Sequence, residues 1–182
     1  MNKLASHWWM FAVRGLTSLA LAVLLLAGPE WSSSAMLAVA FGVYAVVDGA
    51  SSLGFVVGAR GVRSLTYVGR GVLGIGVGAL TLARPEASTL ALYVLLGVWG
   101  IGAGALELAF GSRTWSAIRT ALPLMIAGAV SFGFGLTLLF FPLESAVTLR
   151  AFLLAFAVMN GAAALAIGEE LHQLAVPTLR HA

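Results

Sequence analysis

The chain contains no cysteine and carries very little charge for its length. Only 9% of its 182 residues are Asp, Glu, Lys or Arg, whereas soluble domains carry about 25%. Without cysteine, the sequence has neither a disulfide framework nor a thiolate metal site. So few charged side chains cannot cover a water-exposed globule, which excludes an ordinary soluble domain. The net charge of +3 is small, and we expect no nucleic-acid partner because membrane orientation accounts for the basic residues.

Long apolar segments dominate what is present. The sequence is 60% hydrophobic with 22 glycines, and its mean hydropathy is +1.01. Six segments, at about 8–27, 35–57, 65–83, 88–110, 121–141 and 147–168, are each long enough to cross a bilayer, which takes about 20 helical residues. They lack the apolar–polar alternation that a β-barrel needs. The sequence therefore predicts an all-α membrane protein with six transmembrane helices.

The connections between these segments alternate in charge. Those after the first, third and fifth segments are short, and those after the second and fourth are basic. Basic residues concentrate on the cytoplasmic side of membrane proteins. We therefore predict a multi-pass protein of the bacterial inner (plasma) membrane with both termini in the cytoplasm. Eight basic residues fall on that side, Lys3, Arg14, Arg60, Arg63, Arg70, Arg113, Arg119 and Arg180, against Arg84 and Arg150 on the other.

A repeat of about 56 residues divides the chain into three helical hairpins. "LAGPE" at 26–30 recurs as "LARPE" at 82–86 and, more loosely, as "FFPLE" at 140–144. Proline ends the first helix of each hairpin because it cannot continue the hydrogen-bond ladder, and we interpret Glu30, Glu86 and Glu144 as turn and cap residues. The hairpins span about 7–58, 63–111 and 119–168, within a single transmembrane domain that covers 1–182, and a cytoplasmic tail occupies 169–182. Three equivalent units predict a pseudo-threefold arrangement.

The repeated motifs resemble the HdeD family of bacterial acid-resistance membrane proteins. The resemblance covers 7–168 and is carried by "HWWMFAVRGLTSLALAVLLLAGPE", "FGVYAVVDGASSL" and "GRGVLGIGVGALTLARPEASTLALYVLLGVWGIGAGALEL". The shared features are a Trp-rich start, an Arg-Gly in the first helix, a Pro-capped turn and a Gly-x-Tyr/Trp in the second helix. The third repeat departs from the pattern at Ala127 and Asn160. The resemblance implies a six-span inner-membrane protein linked to acid or general stress, and it implies no defined biochemical activity.

Charged residues inside the spans are the candidate functional residues. An Arg, Lys or Asp at the centre of a spanning helix costs about 2.5–3.5 kcal/mol, so such residues pair, face a cavity or snorkel. Arg14 and Asp48 lie at comparable depth on adjacent antiparallel helices, which predicts a salt bridge. Arg70 and Glu107 occupy similar depths in the second hairpin. Pairing, a polar or proton pathway, and snorkelling of the two arginines all stay open, and Asn160 is expected to form an interhelical hydrogen bond.

Small residues at helical spacing predict close helix packing. Glycines in such positions allow helix backbones to approach each other. We favour partners within the same chain for this packing. The candidate packing residues are Gly15, Gly49, Gly71, Gly74, Gly78, Gly100, Gly104, Gly128 and Gly161.

No combination of residues points to an enzyme. The sequence has no HExxH, GxSxG or P-loop motif, and its single Glu-x-x-His at 169–172 is half of what a di-iron bundle needs. We expect no cofactor and no metal. The favoured interpretation is a non-enzymatic stress-associated membrane protein that contacts lipid, a second copy or another membrane protein. The alternative is a small transporter or proton channel with a polar path near Asp48, Glu107 and Asn160.

Overall fold

Six long helices account for most of the residues that the structure describes. A computed structural model describes residues 8–27, 33–54, 56, 62–86, 89–114, 121–141 and 145–175. All six helices are long and apolar enough to cross a membrane, which confirms the predicted all-α class. They are α1 (Trp8–Ala27), α2 (Ser34–Gly54), α3 (Val62–Ala83), α4 (Thr89–Thr114), α5 (Ala121–Phe140) and α6 (Ala146–Ala175).

The helices form a closed ring in which tight and looser contacts alternate. The most extensive packing joins α2 to α3, α4 to α5, and α6 back to α1. The two helices within each hairpin pack less extensively against each other. One pattern is therefore repeated three times around the bundle, as a pseudo-threefold arrangement requires. We call the end of the bundle that holds the three short turns the turn side, and the opposite end the terminal side.

Glycines make the tight contacts between hairpins. A Cβ added to Gly49 would lie 2.8 Å from the carbonyl oxygen of Gly71, and one added to Gly104 would lie 2.6 Å from that of Gly128. At the ring closure, a Cβ on Gly15 would lie 3.1 Å from the carbonyl oxygen of Gly161. All these partners are in the same chain. Gly74, Gly78 and Gly100 make comparable backbone contacts with α2 or α5.

Serine side chains cap two of the helices that leave the turns. Ser33 Oγ accepts a hydrogen bond from the Met36 N–H at 3.2 Å, and Ser145 Oγ accepts one from the Val147 N–H at 3.2 Å. Both satisfy donors at a helix start that have no partner inside the helix. The sequence reasoning assigned caps to glutamates instead. Glu86 is exposed in the turn before α4, whereas Glu30 and Glu144 lie outside the described residues.

The last helix extends further than the sequence indicated. The segment from residue 169 was expected to be a cytoplasmic tail, and its first residues continue α6 to Ala175. Leu171 is buried there, and His172 makes an edge-to-face contact with Trp8, with ring centroids 4.6 Å apart.

Residues 176–182 lie outside the described part, as do Lys3, Arg60, Arg119 and the prolines at 29 and 142. Arg180 belongs to the same C-terminal segment. The side chains of Arg63 and Arg113 are likewise not described.

Candidate functional site

Four charged side chains meet inside the bundle and form a closed ion-pair network. Arg14 Nε lies 2.8 Å from Asp48 Oδ1, and an Arg14 Nη2 contact joins the same side chain to Glu107 Oε1. Arg70 Nη2 lies 3.1 Å from Asp48 Oδ2, and Arg70 Nη1 lies 2.9 Å from Glu107 Oε1. Each arginine thus bridges both carboxylates. We call these four residues, one from each of α1 to α4, the axial network.

The axial network is buried but electrically balanced. All four residues are less than 10% exposed, and Asp48 is fully buried. Two guanidinium groups and two carboxylates sum to zero net charge, so each charge that is costly in lipid has partners of opposite sign. Both arginines are paired inside the protein and neither snorkels. Arg14 lies six residues after the start of α1, so the network is about 9 Å from the terminal side.

The two carboxylates each leave one buried oxygen without a hydrogen bond among the described residues. Asp48 Oδ1 contacts Arg14 and Arg70, and Asp48 Oδ2 lies 3.1 Å from Arg70 Nη2. Glu107 places Oε1 against both arginines, and its buried Oε2 has no hydrogen-bond partner among the described residues. An ionised carboxylate can accept about four hydrogen bonds over its two oxygens. Each carboxylate therefore keeps unused hydrogen-bond acceptor capacity.

The third repeat completes the network with neutral side chains. Asn160 Oδ1 accepts a hydrogen bond from Arg14 Nη2 at 3.4 Å, and Asn160 Nδ2 donates to Ser131 Oγ at 3.3 Å. Ala127 stands where the other repeats have arginine, so this repeat adds no cation. All five polar residues singled out from the sequence thus lie together. The sequence reasoning paired Arg14 with Asp48 and did not foresee that Glu107 contacts Arg14 across hairpins.

Three aromatic side chains close the axis on the turn side of the network. Tyr44, Trp99 and Phe156 occupy equivalent positions of the three repeats, four residues before Asp48, Ala103 and Asn160. Their ring centroids lie 5.3–6.3 Å apart in edge-to-face geometry, an arrangement that aromatic pairs prefer. We call these three residues the aromatic layer. All three are at most 3% exposed.

A second apolar cluster closes the axis on the terminal side. It contains aromatic and aliphatic side chains from five helices, and we call it the terminal-side cluster. Its core is buried, so the axial network lies between two apolar layers. The members are Met10, Phe11, Tyr67, Phe110, Leu124, Ile167 and Leu171, with Trp8 and Val56 packed against them.

Sequence reasoning missed the residues that enclose the network. It noted Tyr44 and Trp99 only as part of the repeated Gly-x-Tyr/Trp motif, and it gave no role to Ser18 or Ser131. Ser18 Oγ donates to the Tyr44 hydroxyl oxygen at 3.2 Å, next to the aromatic layer. The available signal was the repeat itself, because the aromatic positions precede the Asp48-equivalent positions by one helical turn in all three copies.

The six helices and the axial network identify the general class of this protein. The protein is a multi-pass membrane protein whose interior holds a neutral ion-pair network. Within the described residues, no group of three or more His, Asp or Glu comes together as a metal site would require. Residues 69–140 match the model of a family described as a short repeat of unknown function (DUF308). The match begins within α3 and covers all of α4 and α5. No curated protein and no solved structure matches the chain.

Proposed function

We propose that this is a non-enzymatic inner-membrane protein of HdeD type, associated with acid or general stress, with both termini in the cytoplasm. The observation that supports this proposal is the enclosed axis. The charged residues neutralise one another, and apolar side chains pack on both sides of them. Such a bundle acts through its outer surface, by contacts with lipid or with other membrane proteins. The match to a short-repeat family is compatible with the HdeD resemblance at a coarse level.

The charge distribution supports the proposed orientation. The spans themselves place the axial network nearer the terminal side, which also carries the basic loops of the sequence. On the turn side, Arg150 Nε donates to the Leu25 carbonyl at 2.7 Å near the end of α1. One of the two basic residues on that side therefore satisfies a helix terminus. The positive-inside bias is left with a single exposed exception, Arg84.

The alternative is a transporter or proton channel that uses Asp48, Glu107 and Asn160. Such a path has to pass the aromatic layer, where Trp99 is fully buried. It also has to detach Asp48 from two arginines. These requirements make the alternative the weaker hypothesis for the arrangement described above.

Two measurements test the proposal together. Purified protein in liposomes under a pH gradient should leak protons no faster than empty liposomes, and Asp48→Asn should leave the rate unchanged. Deletion of the gene should lower survival of the host after acid challenge, and the wild-type gene should restore it. Proton flux that depends on Asp48 would favour the channel instead. Unchanged survival without flux would remove the stress association while leaving the enclosed bundle intact.

A further inference from the structure

Each of the four charged residues of the axial network keeps one buried polar atom without a hydrogen bond. The atoms are Arg14 Nε, Asp48 Oδ2, Arg70 Nε and Glu107 Oε2, and none has a hydrogen-bond partner among the described residues. Arg14 Nε and Asp48 Oδ2 do lie at ion-pair distances of 2.8 and 3.1 Å from a partner. Buried polar groups in native proteins are nearly always hydrogen-bonded, either to protein or to ordered water. The network therefore has unused capacity to hold a small molecule.

The unused atoms select the chemistry of that molecule. Two of them are N–H donors and two are carboxylate acceptors, so the molecule has to accept hydrogen bonds as well as donate them. The network sums to zero net charge, and an added ion would leave an uncompensated charge inside the bundle, which is costly. Water is neutral, both donates and accepts, and makes about three hydrogen bonds when it is buried among polar groups.

The third repeat leaves room for such a molecule beside the network. An arginine precedes the packing glycine in the first two repeats, as Arg14-Gly15 and Arg70-Gly71, whereas the third repeat has Ala127-Gly128. Ala127 is buried, but it lacks the guanidinium group and most of the stem that carries it. α5 still lies close to Glu107, because a Cβ added to Gly128 would be 2.9 Å from Glu107 Cβ. The position that a third guanidinium group would fill is therefore next to Glu107.

We propose that ordered water occupies this position, bordered by Ala127, Glu107 and Asn160, and hydrogen-bonds to the axial network. Asn160 belongs to the border because its Oδ1 accepts a hydrogen bond from Arg14 Nη2. The aromatic layer and the terminal-side cluster pack on either side of the network, so the water is an enclosed component of the bundle and not part of a continuous path. The proposal holds whether or not the protein acts in acid stress.

A pair of substitutions of equal shape at Ala127 tests the site. Threonine carries a hydroxyl group that can donate and accept in place of the water, whereas valine displaces the water with a methyl group. In thermal denaturation in detergent, Ala127→Thr should melt about 2–4 °C above Ala127→Val, the shift that one net hydrogen bond gives in a chain of this size. Crowding by the larger side chain affects both variants alike and cancels from the comparison.

Ala129 provides the matched control. It lies two residues further along α5 and is exposed on the outer face of the bundle, so Ala129→Thr should melt no higher than Ala129→Val. A dry, apolar position at Ala127 would give that same order, because a buried hydroxyl group without a partner costs stability. If Ala127→Val melts as high as Ala127→Thr or higher, the proposal is overturned.

A density map of the wild-type protein tests the water itself and applies even if the variants at Ala127 do not fold. In a map that shows ordered water at the helix ends, a peak should lie between Ala127 and the axial network, within hydrogen-bond distance of an arginine Nε or of a carboxylate oxygen. The absence of a peak there would refute the site. A peak that scatters anomalously after crystals are soaked in rubidium or bromide would identify an ion and refute the choice of water.

Discussion

Removing charges from the axial network in pairs tests whether charge neutrality, and not any single contact, stabilises the bundle. Arg14→Leu leaves Asp48 and Glu107 with one cation between them, so the buried network carries a net negative charge. Asp48→Leu leaves the opposite imbalance. Removing one partner of a buried ion pair costs about 3–5 kcal/mol, whereas replacing the whole pair with apolar residues is often nearly neutral. Each single variant should therefore be destabilised by that amount.

The double variant Arg14→Leu/Asp48→Leu should recover most of this loss. It leaves Arg70 and Glu107 in place, whose Nη1 and Oε1 atoms are already 2.9 Å apart. The remaining pair is neutral and keeps its own contact. Independent effects would sum to about 6–10 kcal/mol, and we expect the double variant to lose less than about 4 kcal/mol. For a chain of this size, 1 kcal/mol shifts the melting temperature by about 2–4 °C, so the two outcomes are well separated by thermal denaturation.

Two control variants distinguish charge balance from the loss of individual contacts. Arg14→Leu/Arg70→Leu removes the same number of charges but leaves two carboxylates without a cation, so it should be the least stable of all. Arg150→Leu combined with Asp48→Leu should show additive losses, because Arg150 contacts Leu25 at the turn side and does not join the network. If the losses in Arg14→Leu/Asp48→Leu also add, the four residues are not coupled and the reasoning from charge balance is refuted.

Three further predictions concern packing, orientation and the aromatic layer. Gly49→Ala should lower the melting temperature, because its Cβ would lie 2.7 Å from the backbone nitrogen of Ile75. Gly76→Ala, whose Cβ would have nothing within 4 Å, should be neutral or slightly stabilising in the same thermal denaturation. Equal effects of the two substitutions would contradict the packing role. In this cysteine-free chain, a cysteine that replaces Ser33 should react with a membrane-impermeant thiol reagent added to intact cells, and a cysteine that replaces Gln173 should not. The reverse labelling pattern would show that the topology is inverted. Trp99→Ala should cost about 3–5 kcal/mol through the cavity that it creates, and a loss under 1 kcal/mol would show that the aromatic layer does not support the bundle.

The spans and the polar residues could be predicted because both follow from the cost of placing groups in lipid. Six apolar runs gave the six helices, although α2 ends at Gly54 instead of residue 57 and α4 continues to Thr114. Arg14 and Asp48 stood out because a charge in a span needs a partner. Their similar distances from the turn placed them at one depth. This argument predicted the depth of each charged residue within its hairpin, and it did not predict contacts between hairpins.

The partners across hairpins could not be predicted, because sequence distance says little about which helices face each other. The most extensive contacts join consecutive hairpins and not the helices within one. As a result Arg70 faces Asp48 of the preceding hairpin, and Glu107 reaches Arg14. Glycine spacing indicated close packing without identifying the partner. Orientation, the inner-membrane location and the stress association are predictions that still await the experiments above.

The ring closes between α6 and α1, so the interhelical contacts do not depend on which hairpin comes first in the chain. Gly15 packs against Gly161 as Gly71 packs against Gly49, so the contact between α6 and α1 is equivalent to the contact between α2 and α3. Circular permutation is tolerated where the ends of a fold are close together and the cut falls in a surface connection. A chain that starts at α3, joins α6 to α1 through a short linker and finishes at α2 would retain every interhelical contact described here.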